Sequence, residues 1–506
     1  MKKQAIQIAS LIVLPLLFNA IFWKEDFGVN LLIFSSLVMF VLTFFLFPES
    51  IRKRNVQIAV VLTLMSGLMV VVHNSVVSKL GHLASFFLMI GFMQENRSKT
   101  LFEAALQYII NFFGTFLEAP KHLQRASESV FGENKFAKYI SRNLVLAIIP
   151  MLVFGVFFLI FFNANPVFNE ITTNSWQYFA DIFSLSFNEE TFGRIIFFLF
   201  GTYLVFSILF DWKILKNLSK FFARNEHITL TEDASKHESN YQRNEYKIAL
   251  MLIGSVNILL LIINIIDINF LWLSFDYSQA GNLSKLVHEG TGTLILSIFL
   301  SIAILLYYFR KDLNFYQNNK LLKYAAYAWI VQNVILIISV SLRNYYYIDF
   351  YGLTHLRIGV GVFLLITLIG LVTLWIKIRD LKSFFYMFRV NTWGLYVVWI
   401  ALTLVNWDVL IARYNLSHTF KNGLDYEYLL TLSNKTLPII YENRSKLPNE
   451  ANQNRLQVRI EQYFKHQNDY TWCSWNMADD TTMKELKAQI VASSIMNEIS
   501  KPESYD

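Results

Sequence analysis

Near the end of its last long apolar stretch the chain reads LVNWDVLIARYNLS, residues 404–417, which sets Asn406, Asp408 and Arg413 where a membrane helix would be leaving hydrocarbon. Ionisable side chains are costly in such segments, and they mark either a functional site or ion pairs that hold helices together. Asp408 and Arg413 stand about 140° apart around a helix, so they do not form a self-contained pair. Asp408 then looks to Arg343 or Arg357, and Arg413 to Asp267, Glu289 or Asp349, all at the same expected depth. Two chemistries are open for this layer: a lock between helix ends, or a ligand-binding or catalytic site. No catalytic residue is singled out.

The outward polar layer expected from the sequence comprises Asp267, His288, Glu289, Arg343, His355, Arg357, Asn406, Asp408 and Arg413. The middle of the apolar segments holds neutral polar groups such as Asn257, Gln332 and Asn333, which counts against a proton or sodium antiporter with charges at the midplane. In NYYYIDFYGLTHLRIGVGV, residues 344–362, the three tyrosines read as an interfacial belt. Gly352 permits a tight turn. His355 and Arg357 would open the next helix, where backbone N–H groups and the guanidinium can bind an anion such as a phosphate headgroup. His73, His82, His288 and His355 lack zincin spacing, so no metal is expected. His288-Glu289-Gly290-Thr291-Gly292 follows no strand, which leaves a phosphate-cradle reading weak, and no cofactor is expected.

These residues need helices to carry them. The chain of 506 residues is 55% hydrophobic and 16% charged, where soluble domains carry about a quarter charged. Its mean hydropathy is +0.40. The expected fold is all-α: a polytopic membrane protein of about eleven spans, at 5–23, 27–47, 56–73, 76–93, 144–163, 192–211, 247–266, 291–309, 325–342, 355–376 and 391–411. The first run lacks a small-x-small cleavage site and reads as a retained span. Cys473, the single cysteine, excludes an intramolecular disulfide framework. The net charge of +7 lies in short clusters between apolar runs, which argues for membrane orientation and against nucleic acid. With the amino terminus inside, the cytoplasmic segments collect Arg52-Lys53-Arg54 and the basic residues of 97–142, 213–247, 310–323 and 377–389. The opposite side holds Lys24, Lys79, Arg194, Lys285, Arg343 and Arg357. The expected location is a cytoplasmic membrane, with the carboxy terminus outside.

Four segments follow. Residues 1–93 form four spans, and 94–143 a cytoplasmic linker. Residues 144–411 form a seven-span core, and 412–506 a small helical extracytoplasmic domain. Within the linker, Glu103, Gln107, Asn111, Thr115 and Glu118 make a polar stripe. As a span this segment would invert every later basic cluster, so it is expected to lie in the cytoplasmic interface. A twelfth span with its stripe turned into the bundle is the alternative. In the tail, Trp472 and Trp475 are expected to pack on the membrane domain or on lipid headgroups.

NANPVF (163–168), NLSKLVHEGT (282–291), YGLTHLR (351–357), NWDVLIARYNL (406–416), LDYEYLLTLSNKTLP (424–438) and WCSWN (472–476) together resemble a family. It is the bacterial polytopic membrane proteins grouped as domain of unknown function 4153/4173. The resemblance implies a bacterial integral membrane protein, hence a bacterial cytoplasmic membrane, and supplies no activity, cofactor or functional residue. Where the family often shows Asn-Pro-Asp, this chain has Asn406-Trp407-Asp408. The leading functional expectation is a non-enzymatic envelope protein that binds a lipid headgroup or protein partner through its outward polar layer. An enzyme acting on a lipid-linked or envelope substrate comes second, its prior lowered by the short loop WKEDF where membrane glycosyltransferases present acidic groups. A transporter or flippase comes third.

Overall fold

Hydrocarbon offers no partner to a bare peptide group, so apolar runs of this length fold as helices. The computed structural model describes residues 2–95, 98–131, 167–173, 175, 189–210, 225–228, 240–273, 283–309, 312–316, 319–421 and 423–499. Every named element among them is helical. Among the described residues six helices are long and apolar enough to cross a membrane, or seven if one bent pair counts as a single span. Three shorter apolar helices, Ile6–Phe22, Gly193–Leu209 and Leu294–Tyr308, stand where three further spans are expected. The expected span at 144–163 lies outside the described residues, as does NANP at 163–166.

The chain divides into two compact units. Unit 1 is Met1–Val71, Lys79–Phe221 and Tyr470–Trp475; unit 2 is Val72–Ser78, Phe222–Asp469 and Asn476–Asp506.

Unit 1 is built on α1 (Lys2–Phe22), α2 (Val29–Val41), α3 (Arg54–His73), α4 (Val76–Gln94), α5 (Leu101–Phe131) and α6 (Glu189–Leu209). Phe18 of α1 stacks on Phe197 of α6 and lies over Gly201, where a Cβ would come within 2.3 Å of its ring. The α1–α2 loop carries the acids of WKEDF, and both have partners. Asp26 takes Lys79 Nζ at 3.1 Å on each oxygen, and Glu25 accepts from the Thr471 N–H and the Ser474 hydroxyl. Gly28 lets segment 470–475 approach: a Cβ there would sit 2.4 Å from the Ser474 carbonyl oxygen.

The polar stripe of α5 faces protein. Thr100 and Glu103 form a capping box, the Glu103 N–H donating to Thr100 Oγ1 and the Thr100 N–H to the Glu103 carboxylate. Asn111 Nδ2 donates to the Ser207 and Phe210 carbonyls, and Gln94 Nε2 to those of Ser207 and Ile208. Together they satisfy the carbonyls at the end of α6, which the helix itself leaves bare. Glu103, Gln107, Asn111 and Thr115 are buried, while Phe102, Ile109 and Phe113 are exposed. The stripe is thus turned into unit 1, and the apolar face is turned out.

Unit 2 contains α7 (Asn240–Asp267, continued by a π-helical turn Ile268–Leu273), α8 (Leu283–Tyr308), α9 (Lys320–Tyr351), α10 (His355–Arg379), α11 (Phe384–Thr403) and α12 (Trp407–Ser417). Four tail helices follow: α13 (Tyr426–Leu429), α14 (Leu437–Glu442), α15 (Glu450–Asn468) and α16 (Met477–Ile499). One apolar core joins α7 to α10 around the fully buried Trp329. Lys377, one of the expected cytoplasmic cations, is itself buried and donates to the Phe309 carbonyl at 2.6 Å.

A second core gathers Ile411, Ala412 and Leu416 of α12 with Leu429, Leu437, Ile440, Leu456, Ile460 and Leu486 of the tail. The expected eleventh span is therefore bent: α11 and α12 meet at 61° across Leu404–Asn406, and α12 packs with the tail. Freed carbonyls at the bend are capped by side chains, Leu402 O by Trp407 Nε1 at 2.8 Å and Leu404 O by His73 Nε2 at 2.9 Å.

Candidate functional site

The turn between α9 and α10 is made by Gly352 and Thr354. Gly352 ends α9 at φ +86°, a conformation that costs glycine little. It also faces Asn415 of α12, whose Oδ1 would lie 2.9 Å from a Cβ. The Asn415 amide holds both backbone groups of Leu353, accepting from its N–H at 2.7 Å and donating to its carbonyl at 2.9 Å. Thr354 caps α10 by accepting the Arg357 N–H.

These contacts deliver the first residue of α10 to the start of α12. His355 Nε2 lies 2.8 Å from Asp408 Oδ1, and Ser433 adds hydrogen bonds to the same carboxylate. On its other side His355 Nδ1 lies 2.9 Å from the Tyr428 hydroxyl, which also accepts the His355 backbone N–H at 3.0 Å. Burial pushes the Tyr428 phenol above its usual range, helped by the charge of Asp408. The tautomer with Nε2–H donates to Asp408 and leaves Nδ1 to accept from the Tyr428 hydroxyl. The result is a chain Asp408–His355–Tyr428 with both ring nitrogens of His355 satisfied. The backbone N–H groups and the Arg357 guanidinium expected to hold an anion here bond within the protein instead, the His355 N–H to Tyr428, the Arg357 N–H to Thr354 and the guanidinium to the Gly352 carbonyl.

The remaining charges pair differently from the sequence expectation. Arg343 binds Asp267 of α7, an ion pair with both side chains buried, so neither is left for Asp408 or Arg413. Arg357 lies two residues beyond His355, about 200° around the helix. Its guanidinium donates to the Gly352 carbonyl and sits 4.5 Å from the centre of the Tyr347 ring. The Tyr347 ring of the expected aromatic belt is thereby used in a cation–π contact. Asn406 caps α12 by accepting the Val409 N–H at 3.3 Å. The side chains of His288 and Glu289 lie outside the described residues. His82 is buried, with its ring nitrogens on Thr63 O and the Ser35 hydroxyl, and among the described residues no three metal-ligating side chains converge.

Arg413 has no ionic or hydrogen-bonded partner among the described residues. It lines an open cavity of about 780 Å³ along one face of α12, with Asn406, Val409, Leu410 and Ser417 at helical spacing. His73, Leu404 and Val405 close one side, and Ile439 and Asn443 of the tail the other. The volume lies in the range of small-molecule sites, and apolar and polar residues share the lining equally, with Tyr414 and Leu416 completing it. The cavity wall is apolar along Val409, Leu410 and Ile439 and cationic at Arg413.

Tyr428, Ser433 and Asn415 were not singled out from sequence, although all three complete this site. Tyr428 did carry a local signal: it follows Asp425, whose carboxylate accepts the Tyr428 N–H as a helix cap. Comparison with curated proteins finds no match, and comparison with solved structures finds none either. The sequence model of a family described as domain of unknown function (DUF4153) matches residues 34–443, and the protein, with its several apolar helices of multi-pass character, belongs to that family.

Proposed function

We propose that this membrane protein binds an anionic lipid headgroup in the cavity beside α12. The carrying observation is Arg413, a cation without a partner among the described residues, at the rim of a cavity formed where an apolar helix breaks. Arginine suits the role because its planar guanidinium matches phosphate geometry. The basic clusters between spans support a cytoplasmic amino terminus, eleven spans, and an extracytoplasmic tail in a bacterial cytoplasmic membrane. On that topology the cavity faces outward.

The test uses the purified full chain in detergent, with a phosphatidylglycerol or phosphatidylcholine supplement. Phosphatidylglycerol should raise the melting temperature of the native chain and not of Arg413→Ala, while phosphatidylcholine raises neither. Equal stabilisation of both chains by phosphatidylglycerol sinks the reading. The buried Cys473 is a poor topology probe. Lys484→Cys on the exposed face of α16, in a Cys473→Ser background, should label from outside intact spheroplasts.

The Asp408–His355–Tyr428 chain favours a second reading, an enzyme in which His355, oriented by Asp408, serves as a base for a lipid-linked substrate. On that reading His355→Gln should abolish a cellular phenotype at normal protein levels, and on the first it should leave lipid-induced stabilisation unchanged.

A further inference from the structure

Along the contact between α7 and α9, polar side chains succeed one another in the same direction on both helices. Gln332 Nε2 donates to Asn257 Oδ1 at 2.8 Å, Asn257 Nδ2 to the Ala325 carbonyl, and Asn264 Nδ2 to the Gln332 carbonyl. Arg343 binds Asp267, and Tyr346 donates to the Leu271 carbonyl. Asn257, Asn264 and Asp267 share one face of α7, just as Gln332, Ser339 and Arg343 share one face of α9. The file from Asn257 to Asp267 runs about 15 Å, half of a hydrocarbon core of about 30 Å.

This seam is incomplete as a dry interface. Asn264 Oδ1, Gln332 Oε1, Asp267 Oδ2 and Arg343 Nε have no hydrogen-bond partner among the described residues. Asn264 and Asp267 are only 2% and 5% exposed, so bulk solvent does not satisfy their orphaned atoms. Each orphaned atom would cost about 1–3 kcal/mol if left dry, and several on one face make a dry seam improbable on energy alone. A polar gap with two to four partners is where water is held. Beyond Asn257 the contact turns wholly apolar, with Ala249, Ile253, Leu322 and Ala326 all fully buried.

We infer that the α7–α9 seam is a hydrated half-pathway, entered at the Asp267–Arg343 pair and closed at Asn257–Gln332 by the apolar layer, that admits water and small cations. The seam differs from the Arg413 cavity in residues, in ligand and in depth, so it stands whether or not that cavity binds lipid.

The test reads thiol reactivity in the full chain in membranes. In a Cys473→Ser background, Asn264→Cys and Gln332→Cys are treated with a small cationic, membrane-impermeant methanethiosulfonate. Ile265→Cys and Val331→Cys, neighbours that are 50% and 48% exposed on the lipid side, are the controls. The seam thiols should react at least roughly tenfold faster, since a thiol in water ionises and one in hydrocarbon does not. Rates no faster than the controls overturn the inference. The two seam positions lie on different helices, so if one variant fails to accumulate the other decides, and labelling after denaturation confirms an intact thiol.

Discussion

Two carboxylate contacts in unit 2 hold helices together in opposite ways. Asp267–Arg343 buries both charges and leaves Asp267 Oδ2 and Arg343 Nε unpartnered. His355–Asp408 is half exposed, and each ring nitrogen of His355 has a partner. The first pair holds its helices because separating it strands a buried charge with at most confined water to meet it. The second holds its helices by hydrogen bonds that water can replace. Strength and satisfaction thus part company: the pair with orphaned atoms should be the costlier one to break.

The largest effect should follow from Asp267→Ala or Arg343→Ala, each leaving one uncompensated buried charge at a cost of about 3–5 kcal/mol. Membrane levels and detergent melting should both fall, whereas the double change Asp267→Leu with Arg343→Leu should recover most of the loss. Asn415→Ala comes next. It strips both partners from Leu353 and should cost about 1–3 kcal/mol in the same melting assay. His355→Phe should cost less, about 0.5–1.5 kcal/mol, because water reaches the carboxylate it leaves. A loss equal to that of Arg343→Ala would erase the contrast between the pairs.

Arg413→Ala should be the mildest, within about 0.5 kcal/mol, since nothing described leans on that guanidinium. A large loss of stability would mean that Arg413 belongs to a lock. Alkaline titration supplies a graded test. Burial raises the phenols of Tyr428 and Tyr463, so the folded chain holds those protons more tightly than the unfolded one. Their contribution is complete below the unfolded value of 10.0 and is lost as pH rises through the folded values. Tyr463→Phe should flatten the fall in melting temperature on the alkaline side.

Some helix ends were legible in the sequence, and partnership was not. Asp267 closes α7, His355 and Arg357 open α10 and Asp408 opens α12, because charge marks where an apolar run stops. Which of them meet depends on which helices are neighbours, and no local pattern encodes that α7 lies against α9. Gly352 announced its turn because few other residues adopt its φ. The stripe on α5 was visible as a period, but a period does not say whether a polar face meets water or the bare carbonyls of another helix. The bend at Leu404–Asn406 was hidden because Trp407 and His73 supply, from a distance, what a continuous helix would have supplied locally.

The α1–α2 loop has a consequence for biosynthesis. Asp26 and its partner Ser474 are 448 residues apart in the chain. At ribosomal speeds of about 5–20 residues per second, the loop waits roughly 20–90 s for the segment that engages it. For that interval Glu25, Asp26 and Gly28 stand without the backbone that will cover them. A chain stopped before Tyr470 would leave the ribosome with its first hairpin made and never closed, a defect that cellular quality control can recognise at the opposite end of the sequence from the stop.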